Sequence, residues 1–249
     1  MPQCKKRISQ RQTLVLIHGW GFGSAIWQPL LPYLNKRYSV VLVDLPGYVN
    51  AGEASATTWK LRGLTSELAS LIDQPAIWCG WSMGGLLAIE VASCFPEKVQ
   101  SLITLGTNPA FVRSKGWPCG VAPEIFANFK ATLRLDAAKL LKRFSTTLIQ
   151  GSVRPQNSMR RLSQFKDRLP DNDALLAGLQ LLETLDLRAD LAELEMPHHH
   201  ILGESDALVP VAVASDIASL SPRTQVKTIP APHWLWADNP QLLAQIIAP

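Results

Sequence analysis

Three residues far apart in the chain have the types and the order needed for acyl transfer: Ser82 in Gly80-Trp81-Ser82-Met83-Gly84, Asp206 in Gly203-Glu204-Ser205-Asp206, and His233 in Ala231-Pro232-His233-Trp234. A serine hydroxyl attacks a carbonyl only when a base takes its proton, and that base works best when a carboxylate orients it and stabilises the imidazolium. The order serine, acid, histidine is the one that accompanies a nucleophile elbow, a Gly-x-Ser-x-Gly turn between a strand and a helix. Here apolar Ile77-Trp78-Cys79 enters the turn and Leu86 to Ala92 leaves it with helical character. Each residue also has an ordinary reading: a glycine-rich turn, a turn or helix-capping carboxylate, a loop histidine. Their order in one chain favours the catalytic reading.

Acyl transfer also needs donors for the oxyanion. The amide of Met83, at the start of the helix after the serine, is one candidate. The second is the amide of Trp20, in the His18-Gly19-Trp20-Gly21 turn that follows the apolar run Leu14-Val15-Leu16-Ile17. His18 reads as a hydrogen-bonded brace for that turn rather than as the base. Asp44 ends a second strand-like run, Val40 to Val43, in Asp44-Leu45-Pro46-Gly47, but it precedes the serine, whereas acid and base are expected to follow it.

Placing these residues requires strands that end at one edge of a sheet. The short continuous apolar runs at 14–17, 40–43 and 77–79, with Val99 to Leu105, read as strands buried on both faces, and those at 198–203 and 226–229 resume the pattern. Between them, Ile26, Trp27, Leu30, Leu31 and Leu34 have helical spacing, and Leu61, Leu64, Leu68, Leu71 and Ile72 predict an amphipathic helix over 59–72. Alternation of strand and helix predicts an α/β fold with a doubly wound, mostly parallel sheet. From 111 to 186 the alternation stops and the apolar spacing turns helical. Residues 1–110 and 187–249 are therefore expected to form the core, with 111–186 a helical cap inserted into it.

The cap is also where the charge lies. Between Arg113 and Arg168 twelve Lys or Arg face three acids, so this segment is net +9 while the rest of the chain is net −5. A one-signed patch attracts a partner of the opposite sign, although a solvated helix face has the same composition. Nucleic acid is the lesser expectation, because neither aromatic interleaving nor a nucleic-acid motif accompanies the charges.

Composition narrows the rest. A chain of 249 residues, 47% hydrophobic, can bury one large core. It has no apolar run of the roughly 20 residues a bilayer requires, and the N-terminal Lys5-Lys6-Arg7 precedes too short an apolar stretch for a signal peptide. Cys4, Cys79, Cys94 and Cys119 have neither metal-ligand nor disulfide-framework spacing. Cys79 and Cys94 read as small buried hydrophobes. His198-His199-His200 suggests a metal site at first sight, yet adjacent strand residues point to opposite faces and cannot converge on one ion. No metal, no cofactor and a cytoplasmic monomer are expected.

These motifs resemble the α/β-hydrolase superfamily over essentially the whole chain. More narrowly, His18-Gly19-Trp20-Gly21, Asp44-Leu45-Pro46-Gly47, Gly80-Trp81-Ser82-Met83-Gly84-Gly85 and Leu185-Asp186-Leu187-Arg188 resemble the family of pimeloyl-[acyl-carrier protein] methyl ester esterases of biotin biosynthesis. The resemblance implies a serine carboxylesterase whose partner is acyl carrier protein, a strongly acidic protein. It places Lys139, Arg143 and Arg160, with Arg154 a further candidate, at carrier-docking positions, and Trp81 and Phe144 beside the acyl chain. The chain departs from the family after Gly47, where Tyr48-Val49-Asn50-Ala51-Gly52 predicts a differently shaped loop, and at Pro232. A general short-chain carboxylesterase or a carbon-carbon bond hydrolase with the same three residues is the alternative.

Overall fold

A computed structural model describes residues 11–48, 59–165 and 170–248. Its elements, in chain order, are β1 (Thr13–Ile17), α1 (Leu31–Leu34), β2 (Ser39–Val43), α2 (Leu61–Ser70), β3 (Ala76–Trp81), α3 (Met83–Cys94), β4 (Val99–Leu105), α4 (Pro123–Leu135), α5 (Ala137–Leu148), α6 (Pro155–Ser163), α7 (Asn172–Thr184), α8 (Arg188–Glu193), β5 (His198–Gly203), α9 (Val213–Leu220), β6 (Thr224–Ile229) and α10 (Pro240–Ile247). The six strands form one sheet in the order β2-β1-β3-β4-β5-β6, and every neighbouring pair is parallel.

A parallel sheet needs cover on both faces, and the period-two alternation of side chains supplies apolar groups to each. Val15, Ile17, Trp78 and Leu102 face one core, shared with α2, α3 and α9. Leu14, Leu16, Ile77, Cys79 and Ile103 face the other, under Trp27, Leu34 and α10. At the centre α3 is buried over its whole length except Glu90, Ser93 and Cys94, as a helix apolar all round must be.

Two expectations need correction. The spacing over 26–34 predicts one helix, but the chain makes a 3-10 turn at Ser24–Trp27 and then the short α1. Pro32 has no N–H to give to Gln28 and sits instead in the first turn of α1, where proline is tolerated, so the single helix is broken in two although Ile26, Trp27, Leu30 and Leu34 are still buried. Cys94 is exposed rather than buried: it is the last residue of α3, and its thiol reaches the Glu90 carboxylate at 3.6 Å.

The histidine run behaves as strand geometry requires. His198 and His200 share one face, their ring centroids 5.6 Å apart, and are bound by Thr224 and Thr104 through hydrogen bonds of 2.7 Å each. Burial lowers the pKa of His200 to about 3 and also pushes that of His198 below its ordinary value, which favours the neutral ring in each, and no group of three metal-ligating side chains occurs among the described residues. No helix there is long and apolar enough to cross a membrane.

Helices α4 to α7 form a continuous excursion from the sheet. Its two ends meet: Ala110 pairs with Asp186 in an isolated antiparallel bridge, and the Leu187 amide donates to the Pro109 carbonyl at 2.9 Å. Proline at the first turn of α4 and of α6 starts each helix. Asp136 caps α5, its carboxylate accepting from the Lys139 amide at 2.9 Å.

Candidate active site

Ser82 sits between β3 and α3 with φ 55° and ψ −117°, the one non-glycine residue at positive φ among those described. Left-handed backbone costs a residue with a side chain about 1 to 3 kcal/mol and persists only where its surroundings enforce it. Here they do. The Ser82 amide donates to the Leu105 carbonyl at 2.8 Å, and the Thr107 hydroxyl donates to the Ser82 carbonyl at 3.1 Å. Two glycines permit the approach: a Cβ on Gly80 would lie 2.1 Å from the Gly84 carbonyl oxygen, and one on Gly84 would lie 2.3 Å from that of Ile17.

The same end of β4 receives the acid and the histidine. Asp206 Oδ2 accepts from His233 Nδ1 at 2.7 Å, with both side chains buried. The other oxygen, Oδ1, accepts from the Leu208 and Val209 amides at 2.8 Å each. This fixes the carboxylate and, with it, the proton on Nδ1, which leaves Nε2 as the free lone pair. Nε2 is buried and has no hydrogen-bond partner. Gly106, one residue beyond the Leu105 carbonyl that holds Ser82, packs directly on this pair: a Cβ there would lie 3.3 Å from His233 Nδ1 and 3.4 Å from Asp206 Oδ2. Serine, carboxylate and imidazole are therefore gathered around one strand end. In the resting state the serine hydroxyl is not bonded to the imidazole, as is common before substrate enters.

The two expected donor amides are also brought together. A Cβ on Gly19 would touch the Ser82 Cβ at 3.3 Å, so the β1 turn lies against the elbow. Neither the Trp20 nor the Met83 amide is used in a turn or loop hydrogen bond among the described residues. His18 braces this turn: the Leu45 amide donates to Nε2 at 3.0 Å, and Nδ1 lies 2.9 Å from the Gly19 carbonyl. Both nitrogens are thus occupied, and burial lowers the pKa to about 4, so the ring is neutral. Asp44 accepts from the amide and hydroxyl of Ser24 at 2.6 and 2.8 Å, which makes it a loop anchor.

Above Ser82 lies a cavity of about 90 Å³, lined besides the serine by apolar side chains that include Trp20, Phe111, Phe129, Phe144, Leu179 and Leu182. The indole of Trp20 is fixed by its N–H to the Leu175 carbonyl at 2.8 Å and meets Phe144 edge-on at 5.1 Å. A groove of about 270 Å³ continues outward between α4 and α5 over Phe129 and Phe144, with Asn128, Thr132, Thr147 and Arg143 on its walls. Lys139, Arg143, Arg154 and Arg160 are exposed, and none forms a salt bridge among the described residues.

Trp81 is placed otherwise than expected. It is absent from the cavity lining; its indole lies on the opposite side of the sheet, donates to the His233 carbonyl at 2.9 Å and packs on Trp236 at 5.2 Å. As a β3 residue preceding the serine, it must face away from the serine's side. Sequence reasoning missed two supports. The Tyr48 hydroxyl accepts from the Gly21 amide at 3.1 Å, and Phe111, Phe129, Leu179 and Leu182 complete the cavity. Helical periodicity marks the latter as apolar but not as facing Ser82. The loop expected to be divergent at Val49 to Gly52, Cys4, and Lys166 and Arg168 of the basic segment lie outside the described residues.

Comparison with known proteins agrees with this geometry. The chain is 35% identical to a pimeloyl-[acyl-carrier protein] methyl ester esterase from Aeromonas hydrophila subsp. hydrophila over 97% of its own length and 96% of that protein. It is also 35% identical to the protein of that name from Yersinia enterocolitica, over 94% and 91%. Among solved structures, an esterase from Exiguobacterium antarcticum superposes with a TM-score of 0.87 at 19% identity, covering 96% of this chain and 91% of that one. A bromoperoxidase from Bacillus anthracis does so with 0.86 at 22%, with the same coverage; at these identities the likeness is one of fold. The family model described as the alpha/beta hydrolase family matches residues 14–246, and the chain belongs to that family.

Proposed function

We propose that this chain is a serine carboxylesterase that removes the methyl group from a pimeloyl methyl ester carried on acyl carrier protein. The observation that carries the reading is the apolar cavity over Ser82, continued by a groove that opens at Arg143. A methyl ester on an acyl chain needs an apolar slot for its methylenes. A carrier-borne substrate also needs a polar path for its tether and a cationic rim for an acidic protein. The near full-length relatives named for this reaction support the same substrate.

In the mechanism, His233 Nε2 takes the Ser82 proton as the oxygen attacks the ester carbonyl. Asp206 holds the ring and stabilises the imidazolium; it takes no proton itself. Negative charge on the tetrahedral oxygen is met by the Trp20 and Met83 amides and by the N-terminal end of α3. The imidazolium then protonates the departing methoxide, giving methanol and an acyl-enzyme. Water, deprotonated by the same nitrogen, attacks the acyl carbonyl and releases the carboxylate from Ser82.

In this reading residues 111–186 are the cap, Trp20 and Phe144 wall the acyl site, and Lys139, Arg143 and Arg160, with Arg154, meet the carrier. The enzyme works in the cytoplasm as a monomer without a cofactor. The test is a side-by-side measurement of kcat/KM for the carrier-borne methyl ester and for a short p-nitrophenyl ester. Preference for the carrier-borne substrate supports the proposal. Equal or better use of the short ester favours a general carboxylesterase.

A further inference from the structure

The loop after His233 is held from two sides. Toward the sheet the Trp236 indole donates to the Ile26 carbonyl at 3.0 Å and packs on Trp81 at 5.2 Å, and on the other side the cap holds its backbone and its end. The Trp234 amide donates to the Leu148 carbonyl at 2.9 Å. The Arg161 guanidinium donates to the Ala237 carbonyl at 2.9 Å and lies over the Trp234 ring, 5.6 Å from its centroid. Asp238 ends the loop: its Oδ1 accepts from the Ser152 hydroxyl at 2.7 Å and its Oδ2 from the Val153 amide at 3.0 Å. Every hydrogen-bonding cap partner lies between Leu148 and Arg161, at the end of α5, in the turn after it, or on α6, and Phe165 just beyond packs edge-on against Trp234 at 6.2 Å.

This turn also touches the loop of the acid. Gly151, at φ +92°, approaches so closely that a Cβ would lie 2.4 Å from the Ser205 Cβ, one residue before Asp206. A single cap turn is thus wedged against the loops that carry both Asp206 and His233. The imidazole is fixed on its other sides by Asp206 and by the Trp81 indole on the His233 carbonyl. Its Nε2 remains unpartnered, so where that nitrogen points depends on how the 234–238 segment is held.

We infer that Asp238 and Arg161 are positioning residues that clamp the histidine loop to the α5–α6 turn, so that the cap sets the aim of the His233 imidazole at Ser82. Neither residue lines the cavity, so neither contributes to acyl binding. The inference rests on His233 being the base. A displacement of about 1 Å in a reacting group costs on the order of 100-fold, and a half-buried anchor at one end of a six-residue loop should produce part of that.

The experiment compares wild type, Asp238→Ala, Asp238→Asn, Arg161→Met and His233→Ala on a short p-nitrophenyl ester, with the rate of Ser82 labelling by a fluorophosphonate and the thermal midpoint as parallel readouts. Asp238→Ala is expected to lower kcat roughly 10- to 100-fold with KM within about twofold, and to slow labelling by the same factor. Asp238→Asn, which keeps an acceptor for Ser152, should recover part of the loss, and Arg161→Met should fall between it and wild type. Wild-type kcat and labelling in both Asp238→Ala and Arg161→Met would overturn the clamp, as would a loss confined to KM. Full activity in His233→Ala would instead overturn the base assignment, so the two failures are told apart.

Discussion

Gly84→Ala is a small change with a large expected consequence. The added methyl would lie 2.3 Å from the Ile17 carbonyl oxygen and 2.5 Å from that of His18, where ordinary contact begins at 3.4 Å. Both neighbours are backbone atoms of β1 and its turn, so relief requires α3 and that turn to separate by about 1 Å. That separation falls between the Met83 and Trp20 amides, which must converge on one oxygen. A misplacement of this size should lower kcat on a short ester on the order of 100-fold. Overpacking costs about 1 to 3 kcal/mol, while the alanine recovers up to about 1 kcal/mol of helix propensity; a fall of a few degrees in thermal midpoint is the net expectation. Gly63→Ala is the internal control: Gly63 is also in a helix, has nothing within 4 Å of its added methyl, and should gain about 0.5 to 1 kcal/mol with unchanged kcat. If Gly84→Ala keeps kcat within threefold of wild type, the two amides do not act together and the assigned oxyanion site is wrong.

Other perturbations test separate parts of the account. Arg143→Glu with Arg160→Glu reverses two exposed charges that have no salt-bridge partner among the described residues; kcat/KM on the carrier-borne ester should fall about tenfold or more at low salt, and the short ester should change less than twofold. Equal loss on both substrates would remove the docking role. His18 should shape acid stability: its folded pKa of about 4 lies below the unfolded value of 6.5, so the unfolded chain takes the proton first. The stability from the neutral ring is complete above about pH 6.5 and is lost as pH falls toward 4, up to about 3 kcal/mol in all. His18→Asn should flatten the slope of unfolding free energy against pH over that range, measured by urea titration, and an unchanged slope would show that the ring is not buried neutral.

How much of this was legible in the sequence follows from how local each feature is. The elbow is written within nine residues, because Gly80, Ser82 and Gly84 answer to one backbone turn, and the order of Asp206 and His233 after it was enough to name the pair that the structure bonds. The parallel sheet followed from short apolar runs separated by helical spacing, and failed only at 26–34, where Pro32 outweighed periodicity. What remained hidden depends on contacts between distant segments. Trp81 neighbours the serine in sequence yet serves the His233 carbonyl, 152 residues away. Tyr48 reads as part of a divergent loop until its hydroxyl is seen to accept from Gly21. Asp238, in an ordinary Asp-Asn-Pro helix start, shows no sequence mark of its bond to Ser152, 86 residues earlier.

The most direct test of the central claim follows methanol release and the mass of the carrier-borne acyl group when the purified protein meets pimeloyl methyl ester on acyl carrier protein. Wild type should release methanol and leave the free acid on the carrier, while Ser82→Ala, with a wild-type thermal unfolding profile, should leave the ester intact. Methanol release by Ser82→Ala at the wild-type rate would contradict the account, as would a wild-type protein that leaves the carrier-borne ester untouched.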